Sequence, residues 1–130
     1  MVKRRMSIMI MTIIILLATA WAFAAGSEKI AVAANDKTPS AGVSKQAGLA
    51  PFFLFFDEKG KMTEAIENPF KDKEGAGKSI AEWLKNKGVT VVLAEGFGGQ
   101  IAEVMKGKGI KAVAFKGSAE EAVKRVLQPK

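Results

Sequence analysis

The chain has 130 residues, 48% hydrophobic and 25% charged, with 20 Lys and Arg against 13 Asp and Glu. That length suits one domain with a single core and leaves no room for two. It contains no Cys and no His, which excludes disulfides, thiolate or imidazole metal ligands, cysteine nucleophiles and the usual general base.

Charge and apolar content are unevenly spread. Residues 1–24 hold Lys3, Arg4 and Arg5, no acidic residue, and four of the six Met. A nearly unbroken apolar run covers residues 6–25, densest at 8–17, and exits through Ala18, Ala20, Ala22, Ala24 and Ala25. A basic start, an apolar middle and an Ala-x-Ala end form the pattern of a secretory signal peptide, with cleavage expected after Ala24. An uncleaved anchor is the rival reading, because residues 6–25 as a helix would span about 30 Å. Under either reading residues 25–130 form the domain, and it lies outside the cytoplasm, periplasmic or secreted. Contact with a membrane is expected only if the segment is retained. No Cys follows the run, so a lipid-modified anchor is excluded. Residues 25–130 keep 17 basic and 13 acidic side chains.

Residues 30–34 are apolar and stop at Asn35-Asp36, which predicts a buried strand. Residues 35–50 are small, polar and bear Gly and Pro, so they predict a long loop of the kind that is functional or mobile. The run Phe-Phe-Leu-Phe-Phe at 52–56, a turn ending at Gly60 and the alternating stretch 61–67 predict a β-hairpin. Its first arm is apolar on both faces and belongs mid-sheet, whereas the second belongs nearer an edge. Ile80, Ala81 and Leu84, with Trp83 beside them, take helical spacing that Lys87-Gly88 closes. Residues 89–94 predict a strand. The turn 96–99 opens a second helix with Ile101, Ala102, Val104 and Met105 inward, and 110–115 predicts a last strand. Ser118 and Glu121 have capping-box spacing before a helix that buries Ala122, Val123, Val126 and Leu127. Strand, helix and strand over 89–115 make a right-handed parallel crossover. The order predicts an α/β sandwich, a mixed five-stranded sheet flanked by three helices.

Glu95-Gly96-Phe97-Gly98-Gly99-Gln100 lies at the carboxyl end of a parallel strand and opens a helix. There, amide N–H groups and the helix dipole favour an anion. Ligands of open α/β sheets bind at that edge, and the glycines let a bulky anion reach the backbone; a plain strand-to-helix turn is the alternative. Gly75-Ala76-Gly77-Lys78-Ser79 has the look of a phosphate loop, but position 72 is Asp and no strand directly precedes it. It reads instead as a flexible turn with Gly77 or Ser79 near a helix start. Asp36, Asp57, Glu58 and Glu67 read as solvated turn residues rather than a metal cluster. The 52–56 phenylalanines read as core. Lysines near 71–78 and 106–111 are dispersed; they favour an anionic ligand and do not make a nucleic-acid surface. No activating base accompanies Ser44 or Ser79, so a non-enzymatic protein is expected.

An ordered set of motifs then gives a family resemblance. Lys29-Ile30-Ala31-Val32-Ala33, Val43-Ser44, Ala50-Pro51-Phe52-Phe53-Leu54 with Asp57, and Glu67-Asn68-Pro69 come first. Gly75-Ala76-Gly77, Gly96-Phe97-Gly98 and Gly109-Ile110-Lys111 complete the set. In this order and spacing the chain resembles the dinitrogenase iron–molybdenum cofactor biosynthesis domain, over Lys29 to about Leu127. That family includes carriers of nitrogenase cofactor precursors and a protein holding a molybdenum–copper sulfide cluster. The resemblance implies a ribonuclease H-like sandwich without nuclease activity and non-catalytic binding of a metal–sulfur cluster, built of molybdenum, iron or copper, or of its precursor. Many members carry a His after Val-Ser and then Phe-Gly-Arg; here Gln46 replaces the His and Leu49 the Arg. Without Cys or His, the domain is left with Met ligation or with holding a cluster that brings its own sulfide. Met62 and Met105 are the Met outside the leader, and Met105 reads as core. The expectation is an anionic cluster or small anion seated between loop 43–49 and turn 96–100. Lys45 supplies charge and Gln46 a hydrogen bond. Gly96, Phe97, Gly98, Gly99 and Gln100 form the turn, the last three giving backbone donors. The alternative is a ligand-free module that docks on a periplasmic or membrane protein partner.

Overall fold

The computed structural model describes residues 28–73, 75–98 and 100–128. The segment 1–24, with its expected cleavage site, lies outside the described residues. Five strands are present: β1 (Ile30–Ala34), β2 (Phe52–Phe56), β3 (Met62–Glu67), β4 (Val91–Ala94) and β5 (Lys111–Ala114). Three α-helices accompany them: α1 (Gly77–Asn86), α2 (Ile101–Gly107) and α3 (Ala119–Leu127). The sheet order is β3-β2-β1-β4-β5. The β1–β4 and β4–β5 pairs are parallel, and β1–β2 and β2–β3 are antiparallel. This is the expected mixed sheet, with the doubly apolar arm of the hairpin inside and the alternating arm at an edge.

Side chains alternate between faces along a strand, which sorts the core into two layers. Ala31, Ala33, Phe53, Phe55 and Val92 face Ile80, Ala81 and Leu84 of α1 and Ile101 and Met105 of α2. Ile30, Val32, Leu54, Phe56 and Leu93 face Ala119, Ala122 and Val123 of α3. Strand β1 is fully buried along its length, which accounts for its unbroken apolar run. Trp83 of α1 meets Phe53, Phe55 and Phe70 edge-on at centroid separations of 5.6, 5.9 and 6.3 Å. Each such pair adds about 0.5–1.5 kcal/mol beyond burial.

The elements are shorter than the apolar runs at two places, for one reason. Val89 N–H donates to the Leu84 carbonyl at 3.1 Å and Ile110 N–H to the Met105 carbonyl at 2.9 Å. These residues close α1 and α2 and so are not free for the strand ladder. Ala102, Val104, Val126 and Leu127, expected inside, are half-buried. Ser118 caps α3: its Oγ accepts from Glu121 N–H at 3.3 Å and donates to Glu121 Oε1 at 2.9 Å. The Glu121 carboxylate thus takes the hydroxyl proton rather than the backbone N–H of a full capping box.

The hairpin turn is closed by Asp57, whose Oδ1 accepts from the amides of Lys59 and Lys61, each at 2.9 Å. The Lys61 amide above all holds its carboxyl below the ordinary 3.8. A depressed folded pKa means the carboxylate stabilises fully above its unfolded pKa and progressively less as pH falls through the folded value. Thermal melts across an acid series should therefore show stability dropping below pH 3.8, and Asp57→Asn should flatten that acid limb while lowering the neutral-pH melting temperature slightly. An unchanged acid limb would remove Asp57 from the account.

Candidate functional site

Strands β1 and β4 lie side by side and parallel, so both release the chain at the same edge of the sheet. The chain leaving β1 doubles back: Asn35 N–H donates to the Gly42 carbonyl at 3.0 Å, and Ser44 N–H to the Ala33 carbonyl at 2.7 Å. It is then joined to the chain leaving β4. Glu95 N–H donates to the Ser44 carbonyl at 2.9 Å, and Ala47 N–H to the Gly96 carbonyl at 3.0 Å. Loop 43–49 and the start of turn 96–100 therefore form one backbone-bonded wall. Bridges of Ala34 to Val43 and of Gly42 to Ser118 hold the rest of the long loop down.

After a 3-10 turn at Ala47–Leu49, Asn68 fixes the rim from beneath. It is 2% exposed. Its Nδ2 donates to the Ala50 carbonyl at 2.9 Å and the Gly48 carbonyl at 3.4 Å, and its Oδ1 accepts from Phe70 N–H at 2.9 Å. The residue between β3 and Pro69 thereby positions Gly48 and Leu49. Leu49 is 63% exposed, the one large hydrophobic so exposed among the described residues.

The opposite wall is turn 75–78 with the start of α1. A Cβ on Gly77 would stand 3.3 Å from Ile101 Cβ, so this position lets the first turns of α1 and α2 touch. Between the walls runs a groove of about 550 Å³. Gln46, Phe97, Gly98 and Gln100 line it on one side, and Lys73, Gly75 and Lys78 on the other, with Ile101 and Val104 completing the lining. Gly98 has φ of 56°, a left-handed conformation that β-branched residues resist.

The electrostatics favour an anion. Lys73 and Lys78 line the groove, and among the described residues no carboxylate does. Ala76 caps α1 without a side-chain hydrogen bond. Because the first amides of a helix have no intrahelical acceptor, N–H groups and the positive end of the dipole are offered there. Lys71 is engaged elsewhere, 2.8 Å from Glu67; that hydrogen bond lowers the Glu67 pKa and raises that of Lys71. Among the described residues no group of three or more Asp or Glu is placed to hold a metal ion. Met105 is fully buried, and Met62 lines a separate groove on the other face of the sheet. That second groove, with Phe56, Val123 and Leu127, sets Glu120 beside Lys59 and Lys124, so a carboxylate offsets part of its positive charge.

Of the expected site residues, the structure brings Gln46, Phe97, Gly98 and Gln100 together. Lys45 and Gly96 do not line the groove: Lys45 is exposed, and its carbonyl would stand 3.2 Å from a Cβ on Gly96. Both belong to the joint between the loops, which closes the expected seat between loop 43–49 and turn 96–100; the groove opens instead between that joined wall and turn 75–78. Gly99 lies outside the described residues. Sequence reasoning missed Leu49 as a rim residue, Lys73, and the whole wall at 75–78. The signal was present: a Gly-rich turn opening a helix, flanked by lysines, invites the same anion argument as turn 96–100.

Fold and groove together define an α/β domain whose open groove presents amides, lysine and apolar surface. The chain belongs to the dinitrogenase iron-molybdenum cofactor family, whose model matches residues 28–129. Among solved structures, the apo form of the orange protein from Desulfovibrio gigas is 26% identical, with a TM-score of 0.70 over 77% of this chain and 87% of that one. A NifB-type protein from Thermotoga, solved by NMR, is 28% identical, with a TM-score of 0.66 over 76% of this chain and 86% of that one. A dinitrogenase-type protein from Methanocaldococcus jannaschii, 12% identical with a TM-score of 0.57 over 78% of this chain and 88% of that one, shares the fold alone. No curated protein matches the chain.

Proposed function

We propose that this is an exported, non-enzymatic protein that holds an anionic metal–sulfur cluster, or an oxoanion, in the groove between turn 75–78 and the wall formed by loop 43–49 and turn 96–100. One observation carries the reading: two lysines and the uncapped start of α1 converge on an open groove free of carboxylates among its described lining. The family name supports the class of guest. A cluster that brings its own sulfide requires no thiolate from the protein. It requires positive charge, hydrogen-bond donors and an apolar surface for poorly hydrated sulfur. Lys73 and Lys78 supply the first, the α1 amides with Gln46 and Gln100 the second, and Leu49, Phe97 and Ile101 the third.

Anaerobic reconstitution with molybdate, iron, copper and sulfide, followed by elemental analysis, tests this directly. Stoichiometric metal is expected; metal-free protein would sink it. Gly98→Val should weaken retention about tenfold through left-handed strain, whereas Gly98→Asn, tolerated in that conformation, should not. Export rests on the pattern of residues 1–25, and intact mass of protein from its native compartment should show loss of residues 1–24. The exposed Leu49 favours a second reading, a ligand-free module that docks on another protein. A stable partner on metal-free protein would support that reading.

A further inference from the structure

The sheet edge opposite the groove carries most of the domain's positive charge. Ile30, Val91 and Lys111 are register partners at the starts of β1, β4 and β5, so these strands begin at one edge. Ile30 also pairs with Phe56, which puts the hairpin turn there too. All three helices end at this edge. The last turns bring Lys85, Lys106, Lys124 and Arg125; the hairpin adds Lys59 and Lys61, and β5 adds Lys111. Leu127 of α3 reaches the hairpin, 3.4 Å from a Cβ on Gly60, so the groups of α3 and the hairpin share one surface, while Lys85 and Lys106 end helices on the other face of the sheet.

Part of this charge has a local explanation. Basic residues complement helix carboxyl ends. Lys29 Nζ donates to the Lys87 carbonyl at 2.8 Å, and Lys87 and Lys108 approach Glu64 and Glu82 at 3.6 and 3.8 Å. Lys59 and Lys61 adjoin the Asp57 carboxylate of their own turn, and Lys111 has no such role. Besides Glu64 and Glu82, the acidic residues here are Glu28, Asp57 and Glu58; Glu28 accepts from Thr90 Oγ1 at 2.9 Å and Asp57 accepts its own turn's amides. Half-buried Val113, Val126 and Leu127 lie beside Lys111 and Arg125 in a shallow cleft that Glu28 also lines. Basic heads over apolar stems and valines suit an interface between water and lipid.

The position of the chain before Glu28 selects the partner. The apolar run 6–25 stops three residues short of Glu28, a reach of only about 10 Å. Until it is removed, a bilayer-seeking sequence is thus tethered to the basic edge, and nucleic acid offers nothing to such a sequence. We propose that this edge docks on an anionic phospholipid bilayer, with the groove at the far edge of the sheet facing away into water. Docking needs the charge alone; a retained run adds the tether.

The absence of Cys allows clean single-site labelling. The chain from Ala25 onward, which holds every described element, would carry a fluorophore at Gln128→Cys, on the basic edge, or at Asp36→Cys, on the groove edge. It would be mixed with vesicles of phosphatidylcholine, alone or doped with phosphatidylglycerol, containing a headgroup quencher. Quenching is expected at position 128 and not at 36, only with phosphatidylglycerol, and it should fade as salt rises. Each basic side chain near an anionic surface is worth about fivefold in partitioning. Lys59→Glu/Lys61→Glu/Lys111→Glu/Arg125→Glu should therefore lower the docked-to-free ratio about a hundredfold or more. Equal quenching at both positions, indifference to lipid charge, or an unaffected variant would overturn the proposal. So would tighter binding to a DNA duplex or an acidic polypeptide than to the charged vesicles. The variant's circular dichroism and melting temperature, if unchanged, separate lost docking from lost folding.

Discussion

Replacing Asn68 by Ala is expected to destabilise the domain by about 3 kcal/mol, because it strands buried partners rather than merely deleting one bond. The Ala50 carbonyl loses its 2.9 Å donor, and Phe70 N–H loses its 2.9 Å acceptor. Each orphaned group costs about 1–3 kcal/mol when water cannot replace the partner. For a domain near a hundred residues, a loss of that size lowers the melting temperature by roughly 15 °C. Asn68→Asp should be no better at neutral pH, since a carboxylate would face two carbonyl oxygens. At acid pH the protonated carboxyl can donate again, so part of its stability should return. The groove should register the change too, because Gly48 and Leu49 sit on the turn that Asn68 holds. A melting temperature within two or three degrees of wild type, together with unaltered ligand retention, would remove Asn68 as the support of the rim.

The same residue shows what was legible in the sequence. Glu67-Asn68-Pro69 was visible as a motif, and the end of a strand was visible beside it. Its purpose was not, because the carbonyls it binds lie 18 and 20 positions earlier in the chain. Strand and helix identities were readable because a period of two and a helical period leave marks in consecutive side chains. The unbroken runs of β1 and β2 likewise announced burial on both faces. Loop 35–50 left no such mark: its order comes from backbone bonds such as Ala34 to Val43 and Gly42 to Ser118, which side-chain pattern does not encode.

The groove divides along the same line. Turn 96–100 follows β4 and precedes α2, so its place at the carboxyl edge followed from local order. Turn 75–78 follows an antiparallel edge strand and a polar stretch, and only the packing of Gly77 on Ile101 brings it opposite. Setting the phosphate-loop pattern aside was sound, since its upstream strand is missing. The turn takes part in the groove without being that motif. Lys45 shows the converse: adjacent to Gln46 in sequence, it contributes its carbonyl to the joint while the charge in the groove comes from Lys73 and Lys78.

Those two lysines give the sharpest functional expectation. Lys73→Glu/Lys78→Glu should weaken binding of tetrathiomolybdate, used as a soluble anionic probe, by about a hundredfold. A charge-assisted hydrogen bond contributes about 1.5–3 kcal/mol, and a hundredfold corresponds to about 2.7 kcal/mol. Both side chains border solvent, so screening keeps the effect below what two buried charges would give. Net charge alone must not explain the result, and Lys59→Glu/Lys111→Glu supplies the control with the same change at the opposite edge. It should leave affinity within about threefold, because both residues lie at the far edge of the sheet, where dissolved ions screen them from the groove. The wild-type affinity should fall with added salt, and the groove variant should lose most of that salt dependence. If both variants weaken the probe equally, attraction is a property of the whole surface and the groove has no special claim. If neither does, amides and apolar contact hold the guest without the lysines, and the electrostatic half of the proposed function fails while the fold and its family stand.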